Sequence, residues 1–331
     1  MTKRRNTKTR KTKRATRRSQ KGQYRVSNWA TYNNSLMQRG DITVWISDAV
    51  IAEWKPVPDA PRERGGQRQY SDRAIECLLT LRALFNLPYR QTEGFGRSIL
   101  ALLAVDVAMP DYSTLCKRSA TLEVNLPCRQ PHEALHLVVD STGLKIYGEG
   151  EWKVRQHGYS KRRTWRKLHL SVDEASQMIQ AVVLTEAGVH DADAGCQLLD
   201  ETDAAIEQVS GDGTYDKRKF YQACAQHQVQ RIAVPPQRNA HIWQHGNAQQ
   251  PPLPRDQNLR RIRQVGRKRW KQESGYHRRS LAETAIFRLK LIFGNTLRAR
   301  TMPRQIVEAR IKCATLNRMT ELGMPASYRL A

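Results

Sequence analysis

Three carboxylates stand where water alone does not account for them. Asp140 ends the apolar run LHLVVD, Asp212 ends the run QVSGD, and Glu283 lies in SLAETAIFRLK, the most apolar helical stretch of the C-terminal half. A carboxylate closing a core strand loses hydration unless a cation meets it, and three converging carboxylates repel one another. A divalent cation resolves both conflicts, and an all-oxygen ligand set selects a hard ion, Mg²⁺ or Mn²⁺, over zinc. Each acid also has a purely local reading. Asp140 before Ser-Thr-Gly and Asp212 before Gly213 can form Asx-type turns, and Glu283 can pair with Arg279 one helical turn earlier. Taken together they favour a site, because open α/β sheets place functional groups at strand ends and leave a helical acid available as third ligand.

The surroundings of Glu283 sharpen that reading. Counting about 100° per residue from Tyr276, the side chains of Tyr276, Arg279, Glu283 and Lys290 share an arc of roughly 60°. Leu281, Ala282, Ile286, Leu289, Leu291, Ile292 and Phe293 cover most of the remaining circumference, which predicts a buried helix. An acid and two cations in one polar stripe of such a helix need a partner, and a metal carrying a phosphodiester suits them.

The elements that must position these residues fall into two textures. From about Trp29 to Gln130 the pattern is helical: Ser71 caps a segment that stops at Asn86-Leu87-Pro88, a second helix runs from about Tyr89 to Ala104, and Asp111 caps a short third one. Two helices, a turn and a polar third helix carrying Lys117 and Arg118 suit a helix-turn-helix unit with those cations on DNA; an ordinary helical bundle reads equally well. After Pro131 come strand-like segments 136–139, 167–172 and 178–184, a helix over 191–205, a strand at 208–210, a helix over 217–227 and a strand at 230–234. That order predicts an α/β fold with a mixed sheet. Residues 237–272 are polar and basic, and Arg267, Lys268 and Arg269 there are expected to touch phosphates, with a solvated loop as the plain alternative. The division is therefore a basic tail over 1–22, a helical DNA-binding domain over 23–130, and a catalytic domain over 131–331 with a small basic insertion at 237–272.

Composition sets the partners. Across 331 residues, 56 Lys and Arg against 31 Asp and Glu give a net charge of +25, and residues 2–21 hold eleven of those cations with no acid. Such charge favours nucleic acid over an anionic membrane, through displacement of condensed counterions, and the tail is expected to be disordered and to lie along phosphates. The best apolar stretch, 99–109, is short and carries Asp106, so no membrane span is expected. Six scattered cysteines without a C-x-x-C pair indicate reduced thiols in a cytoplasm and no zinc site. His157, His169 and His190 lack ligand spacing and read as surface or structural residues. Trp152, Trp165 and the cations at 161–163, 166 and 167 suit either a DNA-contacting loop or a Trp packed under Arg stems.

With these residues in view, the chain resembles the bacterial insertion-sequence transposases of the DDE type. Tyr276, Arg279, Glu283 and Lys290 match their Y-(2)-R-(3)-E-(6)-K signature, and VVDSTG around Asp140 and GDGTYD around Asp212 are similar to the motifs of insertion-sequence family 5. The resemblance covers about residues 134–320, and the helical half is similar to that family's DNA-binding region. It implies an RNase H-like core in which Asp140, Asp212 and Glu283 bind two Mg²⁺ ions about 4 Å apart, with Mn²⁺ as a substitute. It implies hydrolysis at the element's end followed by 3′-hydroxyl transfer into target DNA, with Tyr276, Arg279 and Lys290 on phosphates. A homodimer or larger assembly on double-stranded DNA, in a bacterial cytoplasm at the nucleoid, follows from the same likeness. A non-transposing RNase H-like nuclease or resolvase, or a DNA-binding regulator that no longer cuts, are the alternatives; the intact acids, Arg279 and Lys290 argue against the last.

Overall fold

The structure, a computed structural model, describes residues 24–56, 67–128, 134–146, 165–245 and 252–330. The basic tail and the segment with Trp152, His157 and the cations at 161–163 lie outside the described residues. A short strand β1 (Tyr24–Val26) leads into helices α1 (Trp29–Gln38), α2 (Ile42–Trp45), α3 (Asp48–Ala52), α4 (Asp72–Leu84), α5 (Tyr89–Leu102) and α6 (Tyr112–Arg118). Ser71 and Asp111 cap α4 and α6 as the sequence predicts, accepting from the N–H groups of Ala74 and Thr114. Each such cap satisfies one of the four orphan donors at a helix start. Asn86, in the left-handed region at φ 53°, lies just past the end of α4.

Strands β2 (Leu135–Ile146), β3 (Trp165–Asp173) and β4 (Ile179–Glu186) form an antiparallel meander, followed by α7 (Asp191–Asp200), β5 (Ile206–Ser210), α8 (Arg218–Gln226) and β6 (Arg231–Ala233). The sheet order is β4-β3-β2-β5-β6, with β5 and β6 parallel to β2, so the predicted α/β fold with a mixed sheet is present. The chain then continues through α9 (Pro254–Glu273), a 3-10 turn (Tyr276–Arg279), α10 (Ser280–Phe293), β7 (Thr296–Leu297), α11 (Met302–Leu322) and β8 (Ser327–Arg329). β8 pairs antiparallel with β1, tying the two ends of the described chain together.

Alternation along β2 sorts the two faces of the sheet. Leu137 and Val139 pack with α7 and α8, whereas Val138 and Leu144 pack with Ala282, Ala285 and Leu289 of α10 and with Ala309, Cys313 and Leu316 of α11. α11 is buried on nearly all sides, and the polar side chains it buries are paired: Lys312 donates to Glu308, and Asn317 donates to the carbonyls of Pro127 and Ile179. Its Val307, Ile311, Ala314 and Met319 belong to a third cluster built from α2 to α6, so one helix joins the helical core to the sheet core.

Three expectations require correction. Asp140 does not close its strand: β2 runs six residues further, because Ser141 to Lys145 stay paired with β3. The plain alternative for the basic stretch 237–272, a solvated loop, does not hold over its second half: residues 254–273 form the helix α9, kinked at Gly266 with φ +81° and anchored by Arg255 and Asp256, both buried. α10 is buried on one face only. Phe287 and Leu291 stand in solvent at 64% and 72% exposure, because α11 and the sheet cover only the arc of Ala282, Ala285 and Leu289.

His169 is fully buried on β3, its Nε2 3.0 Å from Thr185 Oγ1, a structural histidine as the sequence suggests. Burial holds its pKa down at about 4; Asp191 opposes this and Lys167 reinforces it. Between pH 6.5 and 4 the unfolded chain therefore binds a proton that the folded chain refuses, and stability falls as pH falls through that window. Urea unfolding at pH 7 and pH 5 is expected to differ by about 2 kcal/mol from this residue alone. His136, also lowered by burial, adds in the same direction, so His169→Gln flattens the dependence without abolishing it.

Candidate active site

The β2–β5 ladder ends at Val138 opposite Ser210, and the β2–β7 ladder begins at Lys145 opposite Thr296. Between them, residues 139–144 of β2 are paired on one side only. Asp140 lies at the mouth of this gap, on the face of the sheet covered by α10. Asp212 enters two residues after β5 ends and caps a 3-10 turn (Gly213–Tyr215), its Oδ1 accepting from Thr214 N at 2.8 Å and from the Thr214 hydroxyl. Glu283 arrives on the first turn of α10, where the helix dipole favours an acid.

Each acid keeps the local partner that a purely structural role would give it. Asp140 Oδ1 accepts from Ser141 N at 3.0 Å, Asp212 makes its turn, and Glu283 pairs with Arg279. Local chemistry does not explain their convergence. The Arg279 guanidinium reaches both Glu283 and Asp140, its Nη1 3.6 Å from Asp140 Oδ2. Burial raises the Asp140 pKa; the Ser141 N–H and Arg279 pull it down, and the fields of Asp212 and Glu283 push it up again. Three acids separated by 72 and 71 residues therefore share one electrostatic environment, with Arg279 as the cation between them.

The donor set fits a divalent metal chemically: hard oxygens, crowded negative charge, and one carboxylate whose ionised form burial disfavours. Among the described residues no group of three His, Cys, Asp or Glu side chains is placed to hold an ion as the chain stands. In this arrangement the Arg279 guanidinium supplies the positive charge between Asp140 and Glu283.

The remaining predicted residues divide. Tyr276 precedes α10 on the 3-10 turn, so it does not share that helix's arc, yet the turn brings its ring within 5.9 Å of Arg279 Cζ, 4.6 Å of Lys271 Nζ and 6.2 Å of the Trp270 ring. Lys290 lies two turns after Glu283 on the same side of α10. Arg269 pairs with Glu273 at 3.0 Å, while Arg267 and Lys268 continue the helix after its kink. Lys117 is exposed, whereas Arg118 is engaged within the chain: it donates to Tyr70 O at 3.0 Å and pairs with Asp72, which turns α6's last cation into a clamp on α4.

Sequence reasoning missed two polar clusters. Asp191 accepts from Ser141 Oγ at 3.1 Å and pairs with Lys167 at 3.0 Å, bracing β2 and β3 directly behind Asp140. Arg255 donates to Asp216 at 2.7 Å and stacks on Trp243 at 3.7 Å, seating α9 beside the Asp212 turn. Asp216 four residues after Asp212 was the available signal for the second; the first is a contact between elements. A cavity of about 690 Å³ beneath the 276–279 turn, lined among others by His136, Glu174, Arg261 and Arg278, includes none of the three acids.

Gly211 sets how closely Asp212 approaches Asp140. A Cβ there would lie 2.9 Å from Val139 Cγ2 and 3.0 Å from the Tyr215 ring, neither able to move without disturbing β2 or the turn. Gly211→Ala is expected to cost about 1–3 kcal/mol, measurable by chemical unfolding.

A family model described as a transposase DDE domain matches residues 131–318, and a second model of that description matches residues 37–149. Among solved structures the chain is similar to one titled "Cryo-EM structure of piggyBac transposase synaptic complex with hairpin DNA", at 11% identity over 86% of this chain and 73% of that one, with a TM-score of 0.37. Among the described residues no helix is long and apolar enough to cross a membrane. The match over residues 131–318 spans more than half of the 331 residues and contains Asp140, Asp212 and Glu283, and the chain belongs to the transposase DDE domain family, whose members act in DNA transposition.

Proposed function

We propose that the protein is an insertion-sequence transposase, of family 5 by its motifs, with an RNase H-like catalytic domain. In this reading it binds the terminal inverted repeats of its element, cuts the DNA there and joins the freed 3′-hydroxyl to target DNA. The observation that carries this is the convergence of Asp140, Asp212 and Glu283 around Arg279 at the gap in the sheet.

Asp140, Asp212 and Glu283 would hold the divalent ions, Mg²⁺ or Mn²⁺. When bound, a pair of such ions supplies Lewis acidity on both sides of the phosphorus. The side chains do the rest. In the first step a water oxygen forms the new P–O bond, the bond to the 3′ oxygen breaks, and that oxygen leaves as the 3′-hydroxyl of the element's end. In the second, the 3′-hydroxyl attacks a target phosphodiester and displaces a target 3′ oxygen, conserving the number of phosphodiester bonds. Arg279, released from the acids, neutralises charge on the non-bridging oxygens, and Lys290 holds the adjacent phosphate. Tyr276, supported by Trp270 and Lys271, aligns the strand backbone. Lys117, Arg267 and Lys268 are proposed phosphate contacts, and two element ends require at least a dimer on DNA.

The test is cleavage, with Mg²⁺, of a plasmid carrying the DNA that flanks the gene on both sides, searched for short inverted repeats as candidate ends, against a plasmid lacking it. Nicks at the repeat ends and strand-transfer products support a transposase. Repeat-independent cutting supports a nuclease, and protection without cutting a regulator.

A further inference from the structure

Phe287 and Leu291 are large apolar side chains at 64% and 72% exposure on a helix whose opposite arc is core. At about 100° per residue they lie roughly 40° and 80° around α10 from Glu283, while Lys290 lies about 20° to the other side. At 1.5 Å per residue they stand about 6 Å and 12 Å along the axis from Glu283. The exposed face of α10 therefore carries, in order, the acid, an aromatic, a cation and a leucine, all leading away from the proposed reacting phosphate.

The charge around this ridge selects its occupant. Arg279 stands at its head and Lys290 beside it, Lys271 packs on Tyr276 just before it, and the whole chain carries +25. An apolar ridge framed by cations suits a partner with a polyanionic edge and flat apolar faces inside. Duplex DNA opened at a base step has that form, and protruding Phe and Leu side chains are common wedges at such steps.

We infer that Phe287 and Leu291 form a wedge that enters the element-end duplex at a base step beside the reacting phosphate and unstacks it. This rests on the proposed reading of Glu283 as part of the catalytic site. The wedge splays the strand so that the phosphate can descend to Asp140 and Asp212, which lie back in the sheet gap, Asp140 with its side chain only 17% exposed.

The test uses the full chain and two short duplexes of arbitrary sequence, identical except that one has a single mismatched, pre-opened step carrying 2-aminopurine. The parent protein is expected to bind the mismatched duplex about tenfold more tightly and to change the probe's fluorescence on binding. Phe287→Ala and Leu291→Ala are expected to lose that preference while keeping affinity for the paired duplex within about twofold. Because both positions are exposed, these variants should unfold at the parent's denaturant midpoint. Their salt dependence should also be unchanged, since no phosphate contact is lost, whereas Lys290→Ala should reduce the slope by about one ion. Phe287→Trp should restore the preference. An unchanged mismatch preference in Phe287→Ala overturns the wedge, and so does a preference lost only in step with a fall from dimer to monomer in sedimentation, which would assign the ridge to a second copy of the chain. The assay needs neither the element's ends nor cleavage, so failed cutting would count against the catalytic reading and leave the wedge standing or falling by itself.

Discussion

Asp140→Asn, Asp212→Asn and Glu283→Gln are each expected to lower Mg²⁺-dependent strand cleavage by about 10³-fold or more while leaving end-DNA affinity within a few-fold. The magnitude follows from the several kcal/mol of charge stabilisation lost with a mispositioned or missing ion, at 1.36 kcal/mol per decade of rate. The three losses should not add, because any one breaks the same ion-holding unit. The separation from binding follows from geometry. Asp140 and Asp212 lie at the gap in the sheet and Glu283 on the first turn of α10, whereas most of the cations proposed for DNA stand apart from them, Lys117 on α6, Arg267 and Lys268 on α9, and Lys290 two turns further along α10. Asp140→Asn should also release Arg279 from one of its two carboxylates, and binding could rise slightly as a free guanidinium meets phosphate. A cleavage time course beside a binding isotherm checks this. Binding lost in proportion to cutting in all three variants would place the acids in the DNA-holding surface and overturn the assignment.

The largest effect on stability is expected at Asp216. Its carboxylate, 2% exposed, receives Arg255 Nε at 2.7 Å, Arg255 Nη2 at 3.3 Å and Gln237 N at 3.1 Å. Arg255, 4% exposed, also donates to His241 O at 2.8 Å and approaches Asp256 at 3.4 Å, while Asp256 accepts from Trp243 and Gln244. Removing one member leaves a buried guanidinium with a single weak ionic partner, and breaking a buried pair in this way costs about 3–5 kcal/mol. Asp216→Ala should show that loss in urea unfolding, and replacing Asp216 and Arg255 together by apolar residues should recover much of it. Because this network seats α9 beside the Asp212 turn, the single variant should also weaken the DNA affinity proposed for Arg267 and Lys268, and the double one less so. A change below about 1 kcal/mol in Asp216→Ala would show that the network is not holding α9.

Arg279 connects the catalytic reading to the resting arrangement of the chain. A cluster of three acids must be neutralised before any ion arrives, and a guanidinium with a planar fork of donors can reach two carboxylates at once where an ammonium would meet them as a point charge. The same group, freed, is suited to phosphate. Under the proposed function Arg279 is thereby the residue that exchanges carboxylate partners for phosphate.

Much was determined by the sequence alone. The ends of α4 and α6 are set by Ser71, Asp111 and the Asn86-Leu87-Pro88 break, all within hydrogen-bonding reach of their own helices. The meander of β2 to β4 and the alternation of α7, β5, α8 and β6 follow from short-range periodicity, and the spacing of Arg279 and Glu283 on one helical turn is local too. Tertiary structure decided what no local pattern carries. It continued β2 past Asp140 because β3 offered partners, left a gap where β5 stops before β7 begins, and folded a Gln- and Arg-rich stretch into α9 because Asp216 was waiting for Arg255. It also exposed Phe287 and Leu291, since the apolar content of a helix says how much it could bury, while only its neighbours decide which arc they cover.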